Sequence, residues 1–443
     1  MFMFTVLGTR TLVLTDYQTA VDLLEKRSAI YSDRPPLILF TELGGWGRAM
    51  PVLRYGPLFR KHRRLSQAHF NVNAVWAYGS MHAELSRKLV SSIEADPERF
   101  REHIFTYATE TIFRIAYDLD VVSPESRHLI AASTEAIRKS AETLVTGAIV
   151  NFLPSIKWVY KWYPEWAPFA GFKRRVVNLR REVESAKWTP FNMTKDNIRS
   201  GSAGKSIVHD AIRDAGGIDG VSKEDEEDIC GLAGILYAAG QETTIAAVTA
   251  FVLNMVLNPD VQRKAQEEID TNIASDRPLT LDDRPDLPYL EAILKELYRW
   301  TVPIARGVPH AVIQDDIYND YFIPKDTVII TSLVDMCNDC PRPAEFLPHR
   351  FIDGTDRGNV PAHPGDIIFG FGRRRCPGVY IADNSIWTVI AQMLASFDFL
   401  SEIVNGKECP PRAEFEEVST RHLAPFKCRI LPRKGRRFVV PSD

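Results

Sequence analysis

Cys376 stands inside Phe369-Gly370-Phe371-Gly372-Arg373-Arg374-Arg375-Cys376-Pro377-Gly378. Glycines there allow a tight turn and the close approach of a flat ligand. The apolar stretch Val379 to Phe397 reads as a helix, so the sulfur lies just ahead of a helix start, with Pro377 suited to the first helical position. The positive helix end and the arginines both favour a thiolate. A thiolate in an apolar, glycine-lined loop is what a haem iron takes as an axial ligand, and sulfur donation promotes O–O cleavage. A buried structural cysteine in a glycine loop is the other reading of the same residues.

A second constellation is Ala239-Gly240-Gln241-Glu242-Thr243-Thr244, four polar residues interrupting an apolar run from Gly231 to Val256. Polar groups in a buried helix are costly unless used. Threonine hydroxyls can bond a preceding carbonyl, and Gly240 removes side-chain bulk and leaves space for a small molecule. A membrane span with a polar kink competes with this reading, although polar groups near a bilayer centre are expensive. A third set is Glu296 and Arg299, spaced to share a helix face, with Arg350 downstream in Phe346-Leu347-Pro348-His349-Arg350-Phe351.

The cysteine stretch resembles the haem loop of the cytochrome P-450 family, F-G-x-G-x-R-x-C-x-G, at every fixed position. The long-helix motif is similar to that family's A/G-G-x-E/D-T-T/S. The resemblance covers nearly the whole chain and implies a mainly α fold with a small β subdomain, as one domain over 1–443. It implies haem b (iron protoporphyrin IX) held by Cys376 as axial ligand, within Phe369, Gly370 and Gly378. Thr243 and Glu242 would then deliver protons, and Ala239 and Gly240 would form the oxygen groove. Arg63, in Tyr55-Gly56-Pro57-Leu58-Phe59-Arg60-Lys61-His62-Arg63-Arg64, matches a residue that pairs with a haem propionate, with Phe59 where the family has Trp. Arg374 matches a second propionate partner and His310 a third. Glu296, Arg299 and Arg350 would form a buried structural triad bracing the cysteine loop.

The implied activity is a haem-thiolate monooxygenase that inserts one atom of O2 into an apolar small molecule. A haem-thiolate isomerase or dehydratase, or an inactive paralogue, are the alternatives. Arg60, Lys61, Arg64, Arg373 and Arg375 could form a basic face that docks an acidic electron donor. No Gly-rich dinucleotide fingerprint follows a strand. Electrons are therefore expected from an NADPH-dependent flavoprotein reductase. Gly307-Val308-Pro309-His310 and Phe426-Lys427-Cys428-Arg429 look most like fungal secondary-metabolism and xenobiotic-oxidising members. Substrate-facing residues are expected in Asp33–Met50, Ile235–Ala239, Val302–Ala305 and Val418–His422.

The family's eukaryotic members carry an N-terminal membrane helix and hinge, and the resemblance starts at about residue 4. The chain therefore reads as an N-terminally truncated form of an enzyme on the cytosolic face of the endoplasmic reticulum. The bulk properties agree with a large globular core: 443 residues, 45% hydrophobic, 25% charged. A net charge of −3 gives no global reason to expect nucleic acid as a partner. The six cysteines are scattered, and the Cys337/Cys340 pair has no second pair to complete a zinc site.

These groups need elements to hold them. Phe4–Leu7 and Thr11–Leu14 read as a hairpin around Gly8-Thr9-Arg10. Thr15 is expected to cap a helix through Lys26, with Gln18 completing a capping box. Helical patterns dominate from Leu58 to about Ile212. Glu224 to Asn258 reads as one helix about 50 Å long at 1.5 Å per residue. A further helix starts near Pro288, and strands are expected at Tyr321–Pro324, Thr327–Thr331 and near Phe426–Leu431.

Overall fold

The computed structural model describes residues 1–121, 124–145, 149–274, 277–417 and 420–434. Long helices dominate, at Pro57–Phe70, Gly79–Ala95, Phe100–Tyr117, Pro124–Val145, Gly171–Ser200, Lys223–Leu257, Pro259–Asn272, Pro288–Thr301 and Val379–Ser396. The strands are short and gather in one four-stranded sheet and several two-stranded ones.

The four-stranded sheet runs in the order Phe2–Val6, Thr9–Leu14, Val328–Thr331, His310–Ala311. Thr9–Leu14 pairs in parallel with Val328–Thr331, and the other pairings are antiparallel. The hairpin turn lies at Leu7-Gly8, earlier than the sequence placed it, and both residues have positive φ (47° and 81°). That backbone matches the twist of a two-residue hairpin. The next helix is capped by Asp16, whose carboxylate accepts from the Thr19 N–H at 2.8 Å, not by Thr15. Both neighbours are cap formers, and the carboxylate one residue later has the reach.

The helix Lys223–Leu257 is capped by the Ser222 hydroxyl, which accepts from the Asp225 N–H, and carries Glu224, Asp225 and Glu226 in its first turn. Acidic residues there suit the positive helix end. This helix is apolar enough to cross a membrane by length and composition, but 61% of its most apolar window is buried within the protein. Its second half forms the largest core with the helices at Gly79–Ala95, Pro288–Thr301 and Val379–Ser396. Its first half packs a second core with Phe113, Tyr117, Val183 and Phe191. The seam between the two cores holds Ala239 to Thr244. The final strand is Arg429–Pro432, paired with Phe397–Leu400, so Phe426–Cys428 precede it.

Candidate active site

The cysteine loop is fixed by its own backbone. The Cys376 N–H donates to the Phe369 carbonyl at 2.7 Å, closing the turn. Gly372 has φ +53°, and a Cβ there would stand 2.2 Å from the Leu24 carbonyl oxygen, so only glycine lets these two backbones meet. Gly378 is the N-cap of the Val379–Ser396 helix, which puts Pro377 one residue ahead of the cap and outside the first turn. Cys376 lies deep in the protein, yet its side chain is exposed, because it faces a cavity. Burial pushes its thiol up and outweighs the Gly378 N–H and the Arg63 and Arg375 charges. The backbone N–H and the arginines act in the expected direction, toward the thiolate, and a bound metal cation would add to them.

The cavity has a volume of about 350 Å³ and joins Cys376 to the long helix. Ala239, Gly240, Glu242 and Thr243 line one wall, and Phe369, Gly370, Cys376 and Gly378 the other. Ile112, Ile115, Ile235, Leu236 and Ile304 make much of the remainder apolar. Arg34, Met50, Pro303 and Thr420 also face it, so that, with Ile235 and Leu236, all four expected substrate segments are met in part. Val418 and Ser419 lie outside the described residues.

On the long helix, the Thr243 hydroxyl donates to the Ala239 carbonyl at 2.9 Å and the Thr244 hydroxyl to Gly240 at 2.7 Å. The expected open space at Gly240 is filled: an added Cβ would stand 2.6 Å from Cδ1 of Ile112. Gly240 is there so that the Phe100–Tyr117 helix can cross closely. The Glu242 carboxylate accepts from, or pairs with, His422 Nε2 at 2.6 Å.

At the edge of the cavity stands a cluster of buried cations. Arg374 donates from Nε to the Ser32 carbonyl and from Nη2 to the Leu53 carbonyl, both at 2.7 Å, while its Nη1 is buried without a partner. Its guanidinium carbon sits 3.8 Å from the Phe59 ring centroid. Phe59, in the place of the family's Trp, thus carries the cation on its face. Arg63 Nη1 donates to the Arg375 carbonyl at 2.5 Å. Arg34, absent from the sequence reading, is 3% exposed and donates only to the carbonyls of Pro51, Val308 and Pro309. His310 is buried too, with Nδ1 2.8 Å from the Tyr31 carbonyl.

Burial lowers the Arg374 guanidinium to about 10, lowers Arg63, and depresses Arg34 and the His310 imidazole strongly. Asp33 offsets part of this for Arg34 and Arg374, but its oxygens are held by the Tyr55 N–H and Arg54. Buried cations at an apolar cavity, one with an orphan N–H, favour an anionic ligand with an apolar body. The residues fit a haem: Cys376 for iron, the Phe369–Gly370 and Ala239–Gly240 walls for the ring, and Arg63, Arg374 and His310 beside its carboxylates.

The triad forms as the sequence implied. Arg299 binds Glu296 through both Nε (2.7 Å) and Nη2 (2.8 Å), and Arg350 Nε donates to Glu296 Oε1 at 3.3 Å. All three side chains are fully buried. Their remaining donors go to carbonyls between Pro341 and Asp356, so the triad braces that irregular segment directly and not the cysteine loop. The link to the loop is Tyr298, edge-on to Phe369 at 5.5 Å and donating to Asp383 Oδ1 at 3.0 Å.

The basic face is smaller than expected. Lys61 is tied to Asp225 and the buried Asp228, and Arg375 to Asp366. Arg60, Arg64 and Arg373 stay exposed around a groove with Tyr55, whose hydroxyl accepts from Arg373 at 3.0 Å.

Comparison with known proteins agrees with this geometry. The cytochrome P-450 family model matches residues 1–423. The chain is 52% identical to the cytochrome P-450 monooxygenase eriC of Hericium erinaceus, over 98% of this chain and 85% of that one. It is 34% identical to the monooxygenase ple1 of Rhodocybe pseudopiperita, over 96% and 81%. A zebra fish cytochrome P-450 solved with progesterone superposes with a TM-score of 0.76 at 20% identity, covering 98% of this chain and 96% of that one, which speaks to fold alone. A cysteine facing an apolar cavity across from a threonine-bearing helix, ringed by buried arginines, is therefore set in the fold its relatives share: the chain belongs to the cytochrome P-450 family and is a monooxygenase of that family.

Proposed function

We propose that this chain, as one catalytic unit, inserts an oxygen atom of O2 into a C–H bond of an apolar small molecule. The observation that carries the reading is the single cavity joining Cys376 to Thr243 through mostly apolar walls. The bound haem b supplies the oxygen activation and the difficult bond cleavage. The chain's residues do the rest. Cys376 donates electron density through sulfur. Arg63, Arg374 and His310 hold the carboxylates, and Phe369 and Gly370 fix the ring against the loop. Ile112, Ile235 and Ile304 exclude water and seat an apolar substrate. Thr243 and Glu242 hold protons at the oxygen-binding wall. The Thr243 hydroxyl is already oriented by the Ala239 carbonyl, to which it donates, so its oxygen is left free to accept.

An NADPH-dependent flavoprotein reductase supplies the electrons and meets the Arg60–Arg64–Arg373 groove through acidic residues. Attachment to the cytosolic face of the endoplasmic reticulum belongs to the same proposal. The substrate is of the kind that a fungal secondary-metabolism enzyme modifies, a hydrophobic small molecule.

The test is the carbon monoxide difference spectrum of the reduced protein, then turnover with a reductase. A strongly red-shifted Soret band with NADPH-dependent O2 uptake supports the reading. The red-shifted band without O2 uptake under a competent reductase would favour a haem-thiolate isomerase or dehydratase, and failure to retain haem would favour an inactive paralogue.

A further inference from the structure

His422 belongs to the strand Arg421–Leu423, paired with Phe415–Glu417 and packed against the long helix. Its Nε2 lies 2.6 Å from Glu242 Oε2. The two side chains keep 29% and 27% of their surface exposed. Glu242 lines the cavity and His422 is not among its lining residues, so the part-exposed imidazole meets the carboxylate from outside that lining. A carboxylate needed for proton delivery must be recharged after each turnover, and among the described residues the polar atom bonded to Glu242 is this imidazole nitrogen.

We propose that His422 is the proton entry of this active site. It takes a proton from solvent at Nδ1 and passes the Nε2 proton to Glu242 Oε2, leaving the neutral Nδ1–H tautomer, which exchanges with solvent back to the Nε2–H form before the next transfer. No electrons move. The proposal rests on the reading that Glu242 carries protons. Other charged groups around His422 do not take that place. Arg421 donates to the Trp300 and Thr301 carbonyls. Arg101, from the Phe100–Tyr117 helix, donates to the Leu423 and Ala424 carbonyls. Glu416 stands across the strand pair from His422, as its register partner. His103 is turned to the Asp96 carbonyl. Glu242 is the carboxylate that meets the imidazole.

The spacing in sequence hides this: the two residues are 180 positions apart. The relay sets a pH dependence on oxygen reduction that the cysteine side does not share. NADPH consumption without substrate can end in peroxide (O2 + NADPH + H⁺ → H2O2 + NADP⁺) or in water (O2 + 2 NADPH + 2 H⁺ → 2 H2O + 2 NADP⁺). Poor proton supply favours peroxide.

The experiment uses the holoenzyme with a purified NADPH-dependent reductase and compares wild type, His422→Gln and Glu242→Gln between about pH 5.5 and 8.5, the range of imidazole titration. Both O2 uptake and peroxide per O2 are read. An unchanged carbon monoxide spectrum certifies each variant's haem pocket. Wild-type proton-limited turnover should fall as pH rises. His422→Gln should lower turnover or raise the peroxide share several-fold and remove that pH dependence. A lower rate with the pH profile intact makes His422 a brace and overturns the proposal, as does a silent His422→Gln beside an affected Glu242→Gln. If Glu242→Gln is silent as well, the proton-carrying reading of Glu242 is what fails.

Discussion

The two faces of the cavity are built on opposite plans. On the cysteine side the chain is held at many points. The loop closes on its own backbone, Gly372 is pressed against Leu24, Tyr298 packs edge-on to Phe369, and the preceding irregular segment is braced by a fully buried carboxylate with two guanidiniums. On the long-helix side Gln241 is buried against Thr109 of the neighbouring helix, and the remaining polar groups bond within their own helix or to one part-exposed partner: Thr243 to Ala239, Thr244 to Gly240, Glu242 to His422. One face has a single chemical task and is immobilised for it. The other must admit a substrate, oxygen and protons in turn, so its contacts are few and exchangeable.

Breaking the rigid side should have the larger effects. Cys376→Ala should abolish the red-shifted carbon monoxide band, and retention of that band would refute the ligand. Glu296→Ala leaves Arg299 and Arg350 buried without their shared carboxylate and should cost about 3–5 kcal/mol in chemical denaturation. A loss under about 1 kcal/mol would show that the carbonyl bonds alone hold the segment.

His82, whose helix packs against the Val379–Ser396 helix, is fully buried with neither ring nitrogen bonded, and burial pushes it down to about 4. Its folded value lies below the unfolded 6.5, so its contribution is present above pH 6.5 and is lost as pH falls toward 4. The full loss is about 3 kcal/mol, and His82→Leu should flatten that acid limb in stability measured against pH. Arg374→Met should loosen haem by roughly ten- to a hundredfold, about 1.5–3 kcal/mol for a charged hydrogen bond, without lowering the melting temperature of the haem-free chain. A parallel fall in that melting temperature would mean the guanidinium serves mainly its Ser32 and Leu53 bonds.

The smallest change should come from the adaptable side. Thr243→Ala is expected to leave stability within about 0.5 kcal/mol while raising peroxide released per NADPH. Unchanged coupling would show that protons reach the oxygen without that hydroxyl.

Legibility in the sequence followed the same division. The cysteine loop and the Glu296–Arg299 pair could be read because each depends on residue types within a short run, and Arg63, Arg374 and Arg350 because each stands in a short motif; the structure places the first two at the cavity and the third on Glu296. The long helix was placed to within one residue at each end, because Ser222 and Asn258-Pro259 punctuate it. The reading went wrong where geometry between distant segments decides. Gly240 looked like room for a ligand, but Ile112 of another helix occupies the space. Lys61 and Arg375 looked like a docking surface, but carboxylates from other elements hold them. Arg34 had no motif to announce it, and only its position in Asp33–Met50, a segment expected to face the substrate, pointed toward the cavity.

The arginine cluster has a consequence for the life of the protein in a cell. Cations buried without matching anions penalise the haem-free chain, and a ligand bringing two carboxylates relieves it. Chains synthesised faster than cofactor arrives open more often and are the first to meet proteases. With haem as that ligand, the abundance of this enzyme should follow haem supply through the polypeptide's own electrostatics.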